Sequence, residues 1–269
     1  MIQRRTKIGH LEIQVLAYAQ LKKAEVIRTG DVPAVLGISA KQERELLSRM
    51  ARAGLIIRLT SGIYLVPQSM PPSGKMAVSE YYILAKLMEA LKGRYQISGP
   101  NAFNFYGFDD QIPNRFYVYN NRISGERTIG GFEFIFIKTS DKQLGGVNKF
   151  KASDGCVAVF ASRSRAFMDA VYDWSRYNTL PRAYKWIRDD MKKNPKAADD
   201  LLSMTIKFGN KGTVRRIGYL LETLGVKSPV LKKLKEKKSS TKSLIGWIPG
   251  RPPMGSVNKK WGLIINGEI

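Results

Sequence analysis

The sequence has almost none of the side chains that build disulfides and zinc sites: among 269 residues there is one cysteine, Cys156, and one histidine, His10. A single cysteine excludes an internal disulfide, and the two residues cannot complete a Cys/His zinc site. Long apolar runs are also missing. No stretch approaches the ~18 residues of a membrane-spanning helix, and no apolar segment follows the basic N-terminus as in a secretory signal. We therefore expect a chain that works in a reducing cytoplasm.

Acidic side chains are scarce as well: 22 Asp and Glu stand against 45 Lys and Arg, which gives a net charge of +23. A charge this large points to an anionic partner, such as a phosphate backbone or an anionic membrane. Because 43% of the residues are hydrophobic and 10% are aromatic, the chain can bury a sizeable core, and a disordered basic tail is excluded.

The positive charge is uneven along the chain. Residues 1–70 carry 11 basic and 5 acidic side chains, residues 71–160 carry 11 and 8, and residues 161–269 carry 23 and 9. Three prolines fall within residues 67–74, and such a segment cannot continue a helix or a central strand. We predict a domain boundary there, between a domain over residues 1–70 and a second over residues 71–269.

The first domain has the pattern of a helix-turn-helix. Apolar residues recur at helical spacing over about residues 9–24, and a short helix is predicted over residues 32–36 with Asp31 as its N-cap. After a turn that contains glycine, Ser39 and Gln42 form a capping-box pattern that begins a third helix. Two short helices joined by such a turn form a helix-turn-helix.

The third predicted helix has one apolar side and one charged side. A helix in the major groove of DNA needs this arrangement, because one face holds it to the domain while the other reaches bases and phosphates. Two β-rich runs around a Ser-Gly turn follow, and they predict a hairpin wing that completes a winged helix-turn-helix. The predicted DNA-binding residues are Ser39, Lys41, Gln42, Arg44, Ser48, Arg49 and Arg52 on the helix and Arg58, Thr60 and Ser61 on the wing.

Several motifs resemble a known family. MARAGLIIRL at residues 50–59, followed by SGIY at residues 61–64, resembles the N-terminal domain of the AbiEi antitoxin and transcriptional-regulator family. Later segments resemble the second domain of that family: YYILA at 81–85, YQISG at 95–99, SRSRAFMD at 162–169 and VRRIGYLLE at 214–222. The order of these motifs covers most of the chain, and the match is least clear after residue 227.

The resemblance implies a function. Members of this family are the antitoxins of type IV toxin–antitoxin systems in bacterial abortive-infection operons, which defend against phage. It implies a repressor that controls its own operon by binding inverted repeats in double-stranded DNA. It also implies that the chain counteracts a nucleotidyltransferase toxin through its second domain, without assuming direct contact with that toxin. An inverted repeat would need two copies of the chain on DNA.

The second domain is predicted to be α+β, because strands come first and helices follow. A helix is expected over residues 77–92, and the predicted strands are 94–98, 116–119, 128–131, 132–138 and 155–160. The predicted later helices are 164–176, 182–193, 196–208, 213–224 and 228–237. Thr213 is expected to cap the fourth of these and Gly225 to end it. A last strand over residues 261–265 is expected to return to the sheet.

We find no pattern that favours an enzyme, a cofactor or a metal site. The helical acidic pairs Asp189–Asp190 and Asp199–Asp200 are interpreted as solvated faces, because adjacent helical residues point in different directions. Asp109 and Asp110 are interpreted as loop residues with turn or cap roles. No phosphate-binding glycine loop is present, and His10 is interpreted as a surface or capping residue.

Two further surfaces leave alternatives open. Seven aromatic residues between positions 103 and 119 could stack on single-stranded bases, but packing in the core is the commoner role. A basic surface in the last third includes Arg215 and Arg216, predicted on the exposed side of a helix, with Lys232, Lys233, Lys235, Lys237 and Lys238. This surface either aids solubility or binds an anion: DNA phosphates, RNA or an acidic partner. Membrane binding is disfavoured, because no aromatic face accompanies the lysines.

Two hypotheses follow. In the first, the chain is a sequence-specific DNA-binding repressor whose winged helix reads the operator. In the second, it is an RNA-binding or protein-interaction module whose winged helix does not read DNA. Any amphipathic helix has a solvated charged face, so the pattern alone does not decide between them.

Overall fold

A computed structural model describes residues 8–69, 73–237 and 243–268. The described residues form two compact units. The first contains the residues up to 95 together with 122–136 and 150–158, and the second contains 96–121, 137–149 and those from 159 onward. The domain boundary predicted at residues 67–74 lies inside the first unit, and it stays a prediction.

The first unit begins with a winged helix-turn-helix. Its elements are α1 (His10–Leu21), β1 (Val26–Arg28), α2 (Pro33–Leu36), α3 (Ala40–Arg52), β2 (Ile57–Thr60) and β3 (Ile63–Leu65). The strands form an antiparallel sheet in the order β1-β3-β2. The helices bury one apolar cluster against this sheet, including Val15, Ile27, Leu46, Leu47, Met50 and Tyr64. The sequence did not predict β1, because three residues are too few to show a period.

The predicted role of Asp31 is wrong. Its carboxylate accepts the backbone N–H of Arg28 at 2.6 Å, so it closes the turn after β1. Val32 occupies the N-cap position of α2, and no side chain caps that helix. Gly37 follows α2 with a φ of +64°, in the left-handed region that glycine adopts without strain.

The remaining elements confirm the mixed α+β class. They are α4 (Glu80–Ala90), β4 (Tyr95–Ile97), α5 (Pro100–Phe105), β5 (Arg115–Asn120), β6 (Gly125–Ile129), β7 (Phe132–Lys138), β8 (Val147–Lys151), β9 (Val157–Ala161), α6 (Arg163–Tyr172), α7 (Trp174–Tyr177), α8 (Arg182–Lys193), α9 (Ala197–Phe208), α10 (Lys211–Thr223), α11 (Pro229–Lys237), β10 (Ile245–Gly246), β11 (Ser256–Asn258) and β12 (Leu263–Ile265). Six strands form one sheet in the order β6-β7-β5-β4-β9-β8.

Three details of the second domain differ from the sequence prediction. The last strand does not return to the six-stranded sheet, because β12 lies between β10 and β11 in a sheet of three. Asn210 caps α10, and Thr213 is the residue that donates to it. The short elements α5, β8, β10 and β11 were not predicted. The end of α10 agrees with the prediction, since Gly225 follows it with a φ of +73°.

In the second unit, helix α10 packs against α6, α9 and α11. Its Gly218 lies under the ring of Trp261, which is fully buried. A Cβ on Gly218 would stand 2.2 Å from that ring, so only glycine fits there without a shift. The C-terminal sheet is thereby anchored to the helical core.

Candidate nucleic-acid interface

Helix α3 begins with the capping box that the sequence predicted. The Ser39 hydroxyl accepts the backbone N–H of Gln42 at 3.2 Å, and the Gln42 side chain accepts the backbone N–H of Ser39 at 2.8 Å. These reciprocal bonds satisfy two of the N–H groups that a helix start leaves without partners. Ser39 and Gln42 therefore fix where α3 begins. This structural role does not depend on DNA.

A buried carboxylate that the sequence did not predict fixes α3 to the preceding turn. Glu43 is fully buried on the inner face of α3. It accepts the backbone N–H of Gly30 at 2.8–2.9 Å and that of Val32 at 3.3 Å. A buried carboxylate needs such donors, because burial without them is costly. The position of Glu43 among Leu46, Leu47 and Met50 was the available signal, since residues three and four apart share a helix face.

The outer face of α3 carries a stripe of three cations, with the exposed carboxylate of Glu45 beside them. Lys41, Arg44 and Arg52 are exposed, and Ser48 between them is half-buried. Within the described part of the chain, the side chains of these three cations have neither an ion-pair nor a hydrogen-bond partner. Their charges and donors are therefore available to an anionic partner.

Arg49 differs from the other arginines of α3. Its guanidinium pairs with the Glu12 carboxylate of α1 at 2.9 Å. This pair holds α1 and α3 together, so Arg49 already has a carboxylate partner. Among the predicted DNA-binding residues on the helix, Arg49 is the one whose charge is balanced within the protein.

The wing is short, and it places its three predicted residues at one end of the β2–β3 hairpin. Arg58 and Ser61 are exposed, and Thr60 is half-buried. Thr60 accepts a hydrogen bond from the guanidinium of Arg127, on β6, at 3.3 Å. Arg52 of α3 and Arg58 of the wing line one cleft of about 480 Å³. The fold thus brings the end of α3 and the wing to a common surface.

The basic surface predicted in the last third is only partly present. The prediction that Arg215 and Arg216 are exposed is wrong, because they are 3% and 8% exposed. Their guanidinium groups donate to the carbonyls of Ser243 at 2.8 Å and Gly246 at 3.0 Å. Burial lowers the pKa of Arg216 below its ordinary value. These arginines hold α10 against the C-terminal segment. That segment covers the side of α10 that the sequence pattern predicted to be exposed.

The lysines of α11 remain as a candidate surface. Lys232, Lys233 and Lys235 are exposed. Lys237 is the last residue of α11, and nothing is described of its side chain. Lys238 lies outside the described residues. Among the described residues, Lys232, Lys233 and Lys235 are therefore the members of the predicted basic surface that are exposed.

The aromatic segment packs mainly against other rings. Phe108 stacks on Phe167 with 3.9 Å between ring centroids, and Phe105 stacks on Phe160 at 4.5 Å. Phe103 and Tyr119 are buried. These contacts favour the core-packing interpretation over a base-stacking surface.

Asp109 and Asp190, one member of each of two acidic pairs, make structural contacts. Asp109 accepts the backbone N–H of Gln111 and pairs with Arg182 at 3.1 Å, as expected of a turn residue. The interpretation of Asp190 as solvated is wrong, because it is 8% exposed and pairs with Arg163. In the described part of the chain, no group of three His, Cys, Asp or Glu side chains could hold a metal ion. No helix among the described residues is long and apolar enough to cross a membrane.

Comparison with known proteins supports the assignment of the N-terminal region. The model of the family described as "Transcriptional regulator, AbiEi antitoxin" matches residues 14–67, which confirms the predicted resemblance over α3 and the wing. The resemblance of the later motifs stays a prediction. No curated protein matches the sequence.

A solved structure with a similar fold covers nearly the whole chain. The crystal structure of the RV2827C protein from Mycobacterium tuberculosis has a TM-score of 0.58 to this chain with 12% sequence identity. The similarity covers 96% of this chain and 92% of that chain. At this level of identity, the comparison shows a similar fold.

Proposed function

We propose that this chain is a DNA-binding transcriptional repressor, with α3 in the major groove and the β2–β3 wing beside it. The observation that carries the proposal is the stripe of Lys41, Arg44 and Arg52 on the outer face of a capped and anchored helix. Long donors without internal partners can reach base edges and phosphates. The match of residues 14–67 to a family of transcriptional regulators supports this function.

The finer part of the proposal follows the same family. The chain represses its own operon by binding inverted repeats, two copies per operator, and counteracts a nucleotidyltransferase toxin as a type IV antitoxin. The proposal does not assume direct contact with the toxin. The proposal assigns no catalytic residue, metal or cofactor, and it places the chain in the cytoplasm, at the nucleoid when bound to DNA.

Binding to matched nucleic acids tests the first part. The full chain is titrated, in the same salt, with its own upstream duplex, a scrambled duplex and a single-stranded RNA of equal length. We expect the tightest binding to the upstream duplex and weaker, salt-dependent binding to the scrambled one. Tighter binding to RNA, or no binding to either duplex, would contradict the proposal and favour an RNA-binding or protein-interaction module.

Co-expression tests the antitoxin part. Cells that express a nucleotidyltransferase encoded beside this gene are grown with and without the chain. We expect the chain to restore growth. If growth stays arrested while the upstream duplex is still bound, the chain is a repressor without antitoxin activity.

A further inference from the structure

A cleft in the first unit has walls that come from distant parts of the sequence. It is the cleft of about 480 Å³ that Arg52 and Arg58 line. Lys75 and Met76 form a third wall, and the β6–β7 turn, with Thr128 and Gly130, forms a fourth. The cleft therefore joins α3 and the wing to two segments outside residues 14–67.

The charge of this cleft has one sign. Arg52, Arg58 and Lys75 line it, and none of its lining residues is acidic. All three cations are exposed. Among residues 8–69, 73–237 and 243–268, their side chains have no ion-pair or hydrogen-bond partner. Three such cations around one concave space give the cleft a positive potential that attracts anions.

The walls of the cleft are held in place by specific contacts. The backbone N–H of Met76 donates to the carbonyl of Gly54 at 2.8 Å, which holds Lys75 beside the end of α3. On the other side, a Cβ on Gly130 would stand 2.6 Å from Ile83 and 3.3 Å from Ile57. With its φ of +61°, this glycine lets the β6–β7 turn pack closely against the wing and α4. Arg127 and Thr60 add a hydrogen bond between the same two hairpins.

We propose that this cleft binds a phosphate of the DNA backbone, so that Lys75 and the β6–β7 turn belong to the DNA interface. The inference rests on the proposed function. When a helix lies in the major groove and a wing reaches the neighbouring minor groove, the backbone strand that separates the two grooves passes between helix and wing. The cleft lies between the end of α3 and the wing strand β2. Its cations therefore face that strand.

The salt dependence of binding tests this phosphate contact. The full chain is titrated with a random-sequence duplex by fluorescence anisotropy at several salt concentrations. We expect Lys75→Gln to reduce the slope of log K against log salt by about 0.9, the value for one phosphate contact. Lys75→Arg should keep the wild-type slope. Lys151→Gln is the control, because Lys151 is an exposed lysine of the same unit that does not line the cleft. An unchanged slope for Lys75→Gln would overturn the proposal.

A second pair of variants changes the cleft without touching a cation. Thr128 is exposed and lies on β6 opposite Glu133. Thr128→Glu adds a negative charge at the cleft, and Thr128→Gln adds similar volume without charge. We expect only the glutamate to weaken duplex binding, severalfold at low salt. Equal affinity of the two variants would contradict a phosphate in the cleft.

Two further measurements separate the possible failures. If the wild-type chain binds neither its upstream duplex nor the random-sequence duplex, the proposed function fails. If Lys41→Gln weakens binding while Lys75→Gln has no effect, the proposed function stands and only the cleft contact fails. Inorganic phosphate is added at constant ionic strength as a competitor. Weaker duplex binding at millimolar phosphate in the wild-type chain, but not in Lys75→Gln, supports a phosphate site in the cleft, whereas equal weakening in both chains would place the competing anion outside the cleft and contradict the proposal.

Discussion

The carboxylate of Glu43 on α3 accepts the backbone N–H of Gly30 with both oxygens, at 2.9 and 2.8 Å. This contact joins the proposed DNA-reading helix to the turn between β1 and α2. Since Glu43 is fully buried, water cannot replace these bonds. The orientation of the outer face of α3 therefore depends on a carboxylate on its inner face.

Replacing Glu43 tests this anchor. Glu43→Leu fills a similar volume but leaves the N–H groups of Gly30 and Val32 buried without an acceptor. We expect the free energy of unfolding to fall by roughly 2–4 kcal/mol, because buried donors without partners and the removal of charged hydrogen bonds are both costly. Urea unfolding followed by circular dichroism measures the change.

A matched control lies two residues further along the same helix. Glu45 is exposed, so Glu45→Leu should change the free energy of unfolding by no more than about 0.5 kcal/mol. Similar values for the two variants would show that the Glu43 bonds do not stabilise the fold. Glu43→Gln keeps one acceptor and should fall between them.

The arginines of α3 should contribute unequally to DNA binding. Arg44 has no partner in the described chain, whereas Arg49 pairs with Glu12. If Lys41 or Arg44 contacts a base, its alanine variant should lose ~1–3 kcal/mol on a duplex selected for tight binding and less on a scrambled one. Arg49→Ala should lose less than Arg44→Ala, because a DNA contact of Arg49 would compete with Glu12.

Anisotropy titrations with both duplexes give these differences. Equal losses of Arg44→Ala on the selected and scrambled duplexes would assign Arg44 to a phosphate. A larger loss for Arg49→Ala than for Arg44→Ala would contradict the expected order of the two arginines.

The sequence predicted the parts of this interface that local patterns determine. The capping box of Ser39 and Gln42 needs only a spacing of three residues, and the Ser-Gly turn of the wing needs only its neighbours. The role of Glu43 was missed. Its partners are backbone N–H groups of the turn before α2, and the sequence does not show that this turn lies against the inner face of α3. Lys75 and the β6–β7 turn were missed because only tertiary packing brings them to the wing.

Substitution of the exposed lysines of α11 tests whether they also contact DNA. Lys232, Lys233 and Lys235 are exposed, and Glu236 is their acidic neighbour on the helix. If these lysines bind DNA phosphates, changing all three to glutamine should reduce the salt slope of duplex binding by about 0.9 for each phosphate that is no longer bound. A slope equal to that of the wild-type chain would leave them as a solvated surface.

The same helical period that located α3 correctly gave a wrong prediction for α10. Val214, Ile217 and Leu221 mark one inner face, and the period places Arg215 and Arg216 outside it. A helix that is covered on several sides buries residues all round, and the C-terminal segment that covers α10 lies about thirty residues further along the chain. A helical period shows which face is apolar, but it does not show whether the opposite face is covered by another element.

The contact of Gly218 with Trp261 gives the sharpest stability prediction. Gly218 lies inside α10, where alanine is normally the better helix former by ~1 kcal/mol. Here a Cβ would stand 2.2 Å from a ring that is 1% exposed, so the ring or the helix must move. We expect Gly218→Ala to lower the free energy of unfolding by ~1–3 kcal/mol, the cost of overpacking a core.

Trp261→Leu should also destabilise the protein, because it leaves a cavity. The double variant should be less destabilised than the sum of the two, since the smaller side chain makes room for the new methyl group. Additive effects, measured by urea unfolding, would show that the methyl group does not meet the ring.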